Sequence, residues 1–493
     1  MTAFPAPAPV RLGFVPASRG FFSQELAARM RAETLAALQT LGLEVVVPTP
    51  EQTRNGCVGT RAEAVLCARM FREREVQGLV VGAVNFGDEQ AVAAVWQEAR
   101  LNVPVLIFGC QEEAALHPGL SRRDAFCGLL SIGEALRQVR ARYSIGRCPI
   151  GFPREAELQA DLRWFAGVCR VVGGLRRARY GQIGARPDAF WTCRFDERAL
   201  QGLGPTTVTL DLSEVLAGVR ALPDTAPELA PLISAMTVEA DTTAVAPASL
   251  VKMAKLELFL TRWGAANGID AFAIQCWTSI QQNLGVCACN TMSRLMDRGV
   301  PAACEADVLG AMAMHACQLA SGQPAALADW NNLHNDDPEL VNLWHCGVFP
   351  KRLAQARPRL ASHPILVGSG AVPPANGDGI VELVLRPGPV TLARVTQPAD
   401  GGWRALVTQG AVEDNAAATG GSYGWCRIPG LPRLYRQVLL RHFPHHVAMT
   451  PGRVGNILYE AFGNYFGLAV HYGDQAAPGV YAGELPFPDD ERL

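Results

Sequence analysis

Two runs, GLVVGAV at 78–84 and VPVLIF at 103–108, decide the fold of the first part of the chain. Every position in them is apolar or glycine, so neither face of the strand can meet water. That is the pattern of parallel strands covered by helices on both sides. Working outward, Arg11–Val15 and Glu44–Val47 read as further strands. The stretches 23–41, 61–75 and 88–100 read as helices, with Leu26, Met30, Leu35 and Leu38 along one face of the first. Strands alternating with helices give a Rossmann-like α/β domain over residues 1–155. The turn after the first strand reads PASRGFF rather than G-x-G-x-x-G, so the cradle a dinucleotide pyrophosphate needs is missing and a nicotinamide oxidoreductase is disfavoured.

A second α/β domain is expected over 156–350. Thr206–Leu212 and Ala271–Cys276 read as strands, 248–264, 284–297 and 305–321 as helices, and Ala325–Asp329 as a strand ending in a polar turn. From Lys351 the texture changes to short alternating segments broken by Gly, Pro, Asn and Asp: 380–385, 390–397, 403–410 and 435–440. This predicts a C-terminal antiparallel, β-barrel-like domain over 351–493, with one helix near 453–466.

Composition narrows the partners. The formal net charge is -2 over 493 residues, which gives no electrostatic case for nucleic acid. No apolar run reaches 18 residues, so no membrane helix is expected. The opening MTAFPAPAPV has neither half of a signal peptide, and a cytoplasmic location follows as the expectation. Fourteen cysteines are scattered through apolar segments with no CxxC pair, the pattern of buried free thiols.

Candidate chemistry lies where acids and imidazoles meet polar turns. Glu305 sits in PAACEADVLGAM, Asp329 in ALADWNN, His345 in LWHCG, and His445 with His446 in FPHHVAM. Each has a plain structural reading: a helix-dipole acid, a turn former, a core histidine, and two rings that a strand would send to opposite faces. Taken together, two carboxylates and an imidazole suit a divalent cation such as Mn2+ or Mg2+. Gln275 and Trp277 lie just past a strand. Asn331 flanks Asp329.

The segments AIQCWTSIQQNLGVCACN (273–290), CEADVLGA, LADWNN, LWHCG and HHVAM resemble the L-fucose/L-arabinose isomerase family. So do RDAFCG (123–128) and FDERALQGLGPTTVTLDL (195–212), and the order is kept from about residue 10 to about 470. The resemblance implies a metal-dependent aldose–ketose isomerase of open-chain monosaccharides. It makes Glu305, Asp329 and His445 the ligands of Mn2+, with Mg2+ or Co2+ as alternatives. A one-residue slip would exchange His445 with His446. It makes Glu305 and Asp329 the acid/base pair of a cis-enediolate mechanism, with a metal-assisted hydride shift as the alternative, and it sets His345 at the place of the additional His ligand of the arabinose type. His345, His446, Gln275, Trp277 and Asn331 are the candidate substrate-binding residues beside it. It also implies a homo-trimer or homo-hexamer with sites completed between subunits. An anionic sugar is open as substrate. A non-catalytic sugar-binding protein and a metal-dependent epimerase or lyase are the rival readings.

Overall fold

The computed structural model describes residues 3–113 and 115–473; the last twenty positions of the expected C-terminal domain lie outside the described residues. Two compact units emerge, one centred on residues 7–173 and the other on 174–459.

The first unit holds a five-stranded parallel sheet. Its strands are β1 (Arg11–Ala17), β2 (Glu44–Val46), β3 (Gly78–Ala83), β4 (Val105–Cys110) and β5 (Ser144–Gly151), in the order β2-β1-β3-β4-β5. All six residues of β3 and all six of β4 are buried, as the apolar runs require. Helix Gln24–Thr40 starts where Ser23 accepts from the Leu26 amide, and helix Glu89–Ala99 where Asp88 accepts from the Ala91 amide. Phe71, Val81, Ile107 and Ile132 share the core these elements enclose.

The second unit holds two sheets. One is parallel, in the order β7-β6-β8-β9, from β6 (Arg179–Ile183), β7 (Thr206–Leu210), β8 (Ala271–Ile274) and β9 (Ala302–Ala303). The other has nine strands. Two, β10 (Ala326–Leu333) and β11 (Leu340–His345), come from before residue 350. The rest are β12 (Arg359–Ser362), β13 (Asp378–Val384), β14 (Gly388–Thr396), β15 (Arg404–Glu413), β16 (Ser422–Arg427), β17 (His446–Pro451) and β18 (Ala469–Tyr472). The order is β12-β13-β16-β11-β10-β17-β14-β15-β18, and β15 also pairs with β16.

This sheet corrects two expectations. It is mixed rather than wholly antiparallel, because β13 runs parallel to β16 and β15 parallel to β18. The alternating stretch 435–440 is not a strand but the end of helix Leu431–Leu440, which begins with a proline in its first turn and buries Leu431 and Leu434 one turn apart. The stretch 284–297 likewise divides into helices Ser279–Leu284 and Cys289–Asp297, with Gly285 in the left-handed region between them. No helix among the described residues is long and apolar enough to cross a membrane.

Candidate active site

The carboxyl end of β9 turns sharply before the next helix. Glu305 and Ala306 both take positive φ, 58° and 54°, which disfavours side chains with a Cβ. The turn is held by the Ala306 amide on the Ile274 carbonyl and the Asp307 amide on the Cys304 carbonyl, both at 3.0 Å. Glu305 therefore stands on a strained turn rather than at a helix start. Strain of this kind persists only where the surroundings over-determine it. Helix Val308–Ser321 begins afterwards, with Asp307 accepting from the Gly310 amide at 2.8 Å.

Sheet register supplies the opposite wall. Asp329 of β10 pairs directly with His446 of β17, so their side chains share a face. His446 Nε2 lies 2.8 Å from Glu305 Oε2 and 3.6 Å from Asp329 Oδ1. Its other nitrogen, Nδ1, lies 2.8 Å from Asp307 Oδ2. Asp307 is in turn gripped by both terminal nitrogens of Arg394 from β14, at 2.5 and 3.1 Å, with both residues 1% exposed. Burial alone would raise the Asp307 pKa, but Arg394 and His446 hold it far below the usual carboxylate range. Burial would lower the pKa of His446, but hydrogen bonds to Asp307, Cys193 and Glu305 raise it well above the usual histidine value, with Nδ1 toward Asp307 and Nε2 toward Glu305 and Asp329.

Around this centre stand the other expected residues. Trp277 Nε1 donates to Glu305 Oε1 at 3.2 Å. His345 is buried; its ring stacks at 6.0 Å from His446, and its Nδ1 accepts from the Cys346 amide at 2.9 Å. A neutral His345 therefore carries its proton on Nε2. His445 is more open, its side chain 41% exposed, with Nε2 at 3.8 Å from Asp329. Its carbonyl accepts from the Trp330 amide, and its ring meets Phe190 at 5.9 Å. Gln275 does not reach the centre; its Oε1 takes the Ala185 amide at 2.9 Å. Asn331 is exposed, beside His445 in a separate apolar cavity of about 360 Å3.

Four polar atoms at this centre are buried without a hydrogen-bond partner: Glu305 Oε2, Asp329 Oδ1, His345 Nε2 and His446 Nε2. Glu305, His345 and His446 form one group able to hold a cation, and Asp329, His445 and His446 another, each with ligand atoms within 4.8 Å of one another. Burial pushes Glu305 up, but His446 and His345 more than offset it and leave its pKa lowered. At Asp329 burial prevails and the pKa is raised. Burial would lower His345, yet Cys346, Asp329 and Glu305 bring it to about 10, while burial and the charge of His446 take His445 down to about 4.

Asp307, Arg394 and Cys193 are absent from the expected site. Asp307 has a sequence signal as a cap two residues after Glu305, and Arg394 as a lone cation inside the apolar strand VTLARV, where a buried charge must find a partner. Cys193 carries no signal that separates it from the other cysteines.

Residues 13–176 match the family described as fucose/sulfoquinovose isomerase, N-terminal domain, and residues 343–473 match L-fucose isomerase, C-terminal domain. Among curated proteins, a sulfoquinovose isomerase of Alkalicoccus urumqiensis is 27% identical over 338 residues, covering 68% of this chain and 72% of the relative. One of Priestia aryabhattai is 24% identical over 404 residues, covering 81% and 85%. One of Clostridium sp. (strain MSTE9) is 25% identical over 349 residues, covering 69% and 73%.

Proposed function

Since the chain belongs to the L-fucose isomerase-like family and is an enzyme, an aldose–ketose isomerase, we propose that it works with a divalent cation, Mn2+ by preference, held by Glu305, Asp329 and His446. The observation that carries this reading is the set of partnerless atoms. Glu305 Oε2 lies 2.8 Å and Asp329 Oδ1 3.6 Å from His446 Nε2, and none of the three buried atoms has a hydrogen-bond partner beyond this cluster. A cation there would take the place of the proton that His446 Nε2 otherwise holds toward Glu305 and Asp329, since ligation requires the imidazole in its neutral form. Two carboxylates and one imidazole suit Mn2+. His446 rather than His445 is the imidazole of this reading.

A cation bound there supplies positive charge to the two sugar oxygens whose protonation changes. The remaining work belongs to the protein. Glu305 and Asp329 flank the C1–C2 edge of an open-chain sugar. One removes the carbon-bound proton, the other exchanges protons with the oxygens, and a cis-enediolate lies between aldose and ketose. Trp277 orients Glu305 through the indole N–H. His345, its proton on Nε2, donates to a sugar oxygen rather than ligating the cation.

The named relatives support a sulfoquinovose-type substrate, an aldose whose C6 carries a sulfonate. A cytoplasmic trimer or hexamer, with sites completed between subunits, belongs to the same reading. The test is incubation with sulfoquinovose in D2O, followed by NMR. Deuterium is expected at C1 of the ketose or C2 of the aldose, with activity abolished by EDTA and restored by Mn2+. Full activity in the chelated enzyme would refute the cation's role.

A further inference from the structure

An isomerase that handles an anionic sugar needs something to hold the anion, and neither Glu305, Asp329 nor His446 can. The loop 184–196, which follows β6, is fastened beside the candidate site at two points. At its start, Gly184 takes a positive φ of 71°, and the next amide, Ala185, binds Gln275 Oε1. Further on, the Phe190 ring meets Trp277 edge-on at 5.3 Å, and the Cys193 thiol lies within 4.8 Å of the ligand atoms of Asp307 and His446. In the tight turn Trp191–Cys193, residues three apart share a side. Phe190 and Cys193 thus pack on the site, while Trp191 and Arg194, on the same short turn, are exposed beside it.

There the Arg194 guanidinium lies over the Trp191 ring, 3.8 Å from its centroid, and the ring is 64% exposed. Neither a carboxylate nor a hydrogen bond engages that guanidinium among the described residues. Arg186 in the same loop differs, because its Nη1 is committed to the Pro187 and Asp188 carbonyls. Stacking on an indole holds a guanidinium in place while leaving its N–H edge free. The free edge is a fork that matches two oxygens of a tetrahedral anion.

We propose that Arg194, seated on Trp191, is the specificity-determining residue that binds the anionic substituent at the end of the sugar remote from the carbonyl, with a sulfonate as the substituent. The inference rests on the isomerase reading given above and adds to it the group that selects the substrate. Arg194 is a binding residue; it takes no part in moving protons.

The experiment compares wild type, Arg194→Gln and Arg194→Lys on two sugars, sulfoquinovose and 6-deoxyglucose, which lacks only the sulfonate. Loss of a hydrogen bond to a charged group costs roughly ten- to a hundredfold. Arg194→Gln is therefore expected to raise KM for sulfoquinovose by that factor, leave kcat near wild type, and leave 6-deoxyglucose isomerisation unchanged. Arg194→Lys is expected to recover part of the loss, and added salt to weaken sulfoquinovose binding by wild type more than by Arg194→Gln. An unchanged KM for sulfoquinovose in Arg194→Gln, or an equal loss on both sugars, overturns the inference and leaves the isomerase reading standing. A wild-type enzyme inactive on sulfoquinovose overturns the substrate reading, and the role of Arg194 falls with it.

Discussion

The five-stranded sheet of the first unit and the nine-stranded sheet of the second both bury most of their central strands, but they bury different things. In β3 and β4 the buried residues are Leu, Val, Ile, Phe, Ala, Cys and Gly, and the surrounding core is apolar. Around β10, β14 and β17 the buried residues include Arg394 and His446, packed with Glu305 and Asp307. Apolar burial stabilises without regard to orientation. Buried charge must be matched atom by atom, and the unmatched atoms of Glu305, Asp329, His345 and His446 cluster at the proposed cation site. On the proposed function the first sheet is scaffold and the second carries the chemistry.

The sharpest way to break this contrast is Glu305→Gln. It keeps the shape and the Trp277 contact but removes the charge. Loss of a general acid–base group predicts a fall in kcat of roughly a thousandfold, with the thermal unfolding temperature within a few degrees of wild type. Near-wild-type turnover would remove Glu305 from the chemistry. Next comes Arg394→Leu, which strands Asp307 as an unpaired buried charge. The expected loss is about 3–5 kcal/mol in denaturant unfolding, because breaking a buried pair leaves the partner uncompensated. A loss below about 1 kcal/mol would mean that the Asp307 site is far wetter than its burial implies. The smallest of the three is Leu79→Ala in β3. Its cost of about 2–4 kcal/mol follows from lost burial and a cavity, while kcat per folded molecule stays unchanged. A drop in kcat there would contradict the division between scaffold and site.

The same contrast explains what could be read in the sequence. GLVVGAV and VPVLIF give their strands without ambiguity because full burial permits only apolar side chains. Helix Leu431–Leu440 shows in the sequence only when 435–440 is read together with Leu431, Pro432 and Leu434, because its first turn and its helical period begin before that stretch. At the site, Glu305 and Asp329 stand out as acids in apolar company, yet no spacing rule brings residues 305, 329 and 446 together. That needs the Asp329–His446 register, which is set by long-range pairing. The choice between His445 and His446 is of the same kind. Both rings approach Asp329, and burial separates them: His446, in β17 and paired with Asp329, is buried, whereas His445, just before the strand, is 41% exposed.

That choice is also where the account is most exposed. Mn2+ binding to the EDTA-stripped protein, measured by calorimetry for wild type, His446→Ala and His445→Ala, tests it directly. The expected result is one site per chain in wild type, lost or weakened at least about a hundredfold in His446→Ala, in line with the removal of a tuned ligand, and largely kept in His445→Ala. Tight binding in His446→Ala together with loss in His445→Ala would contradict the proposed centre.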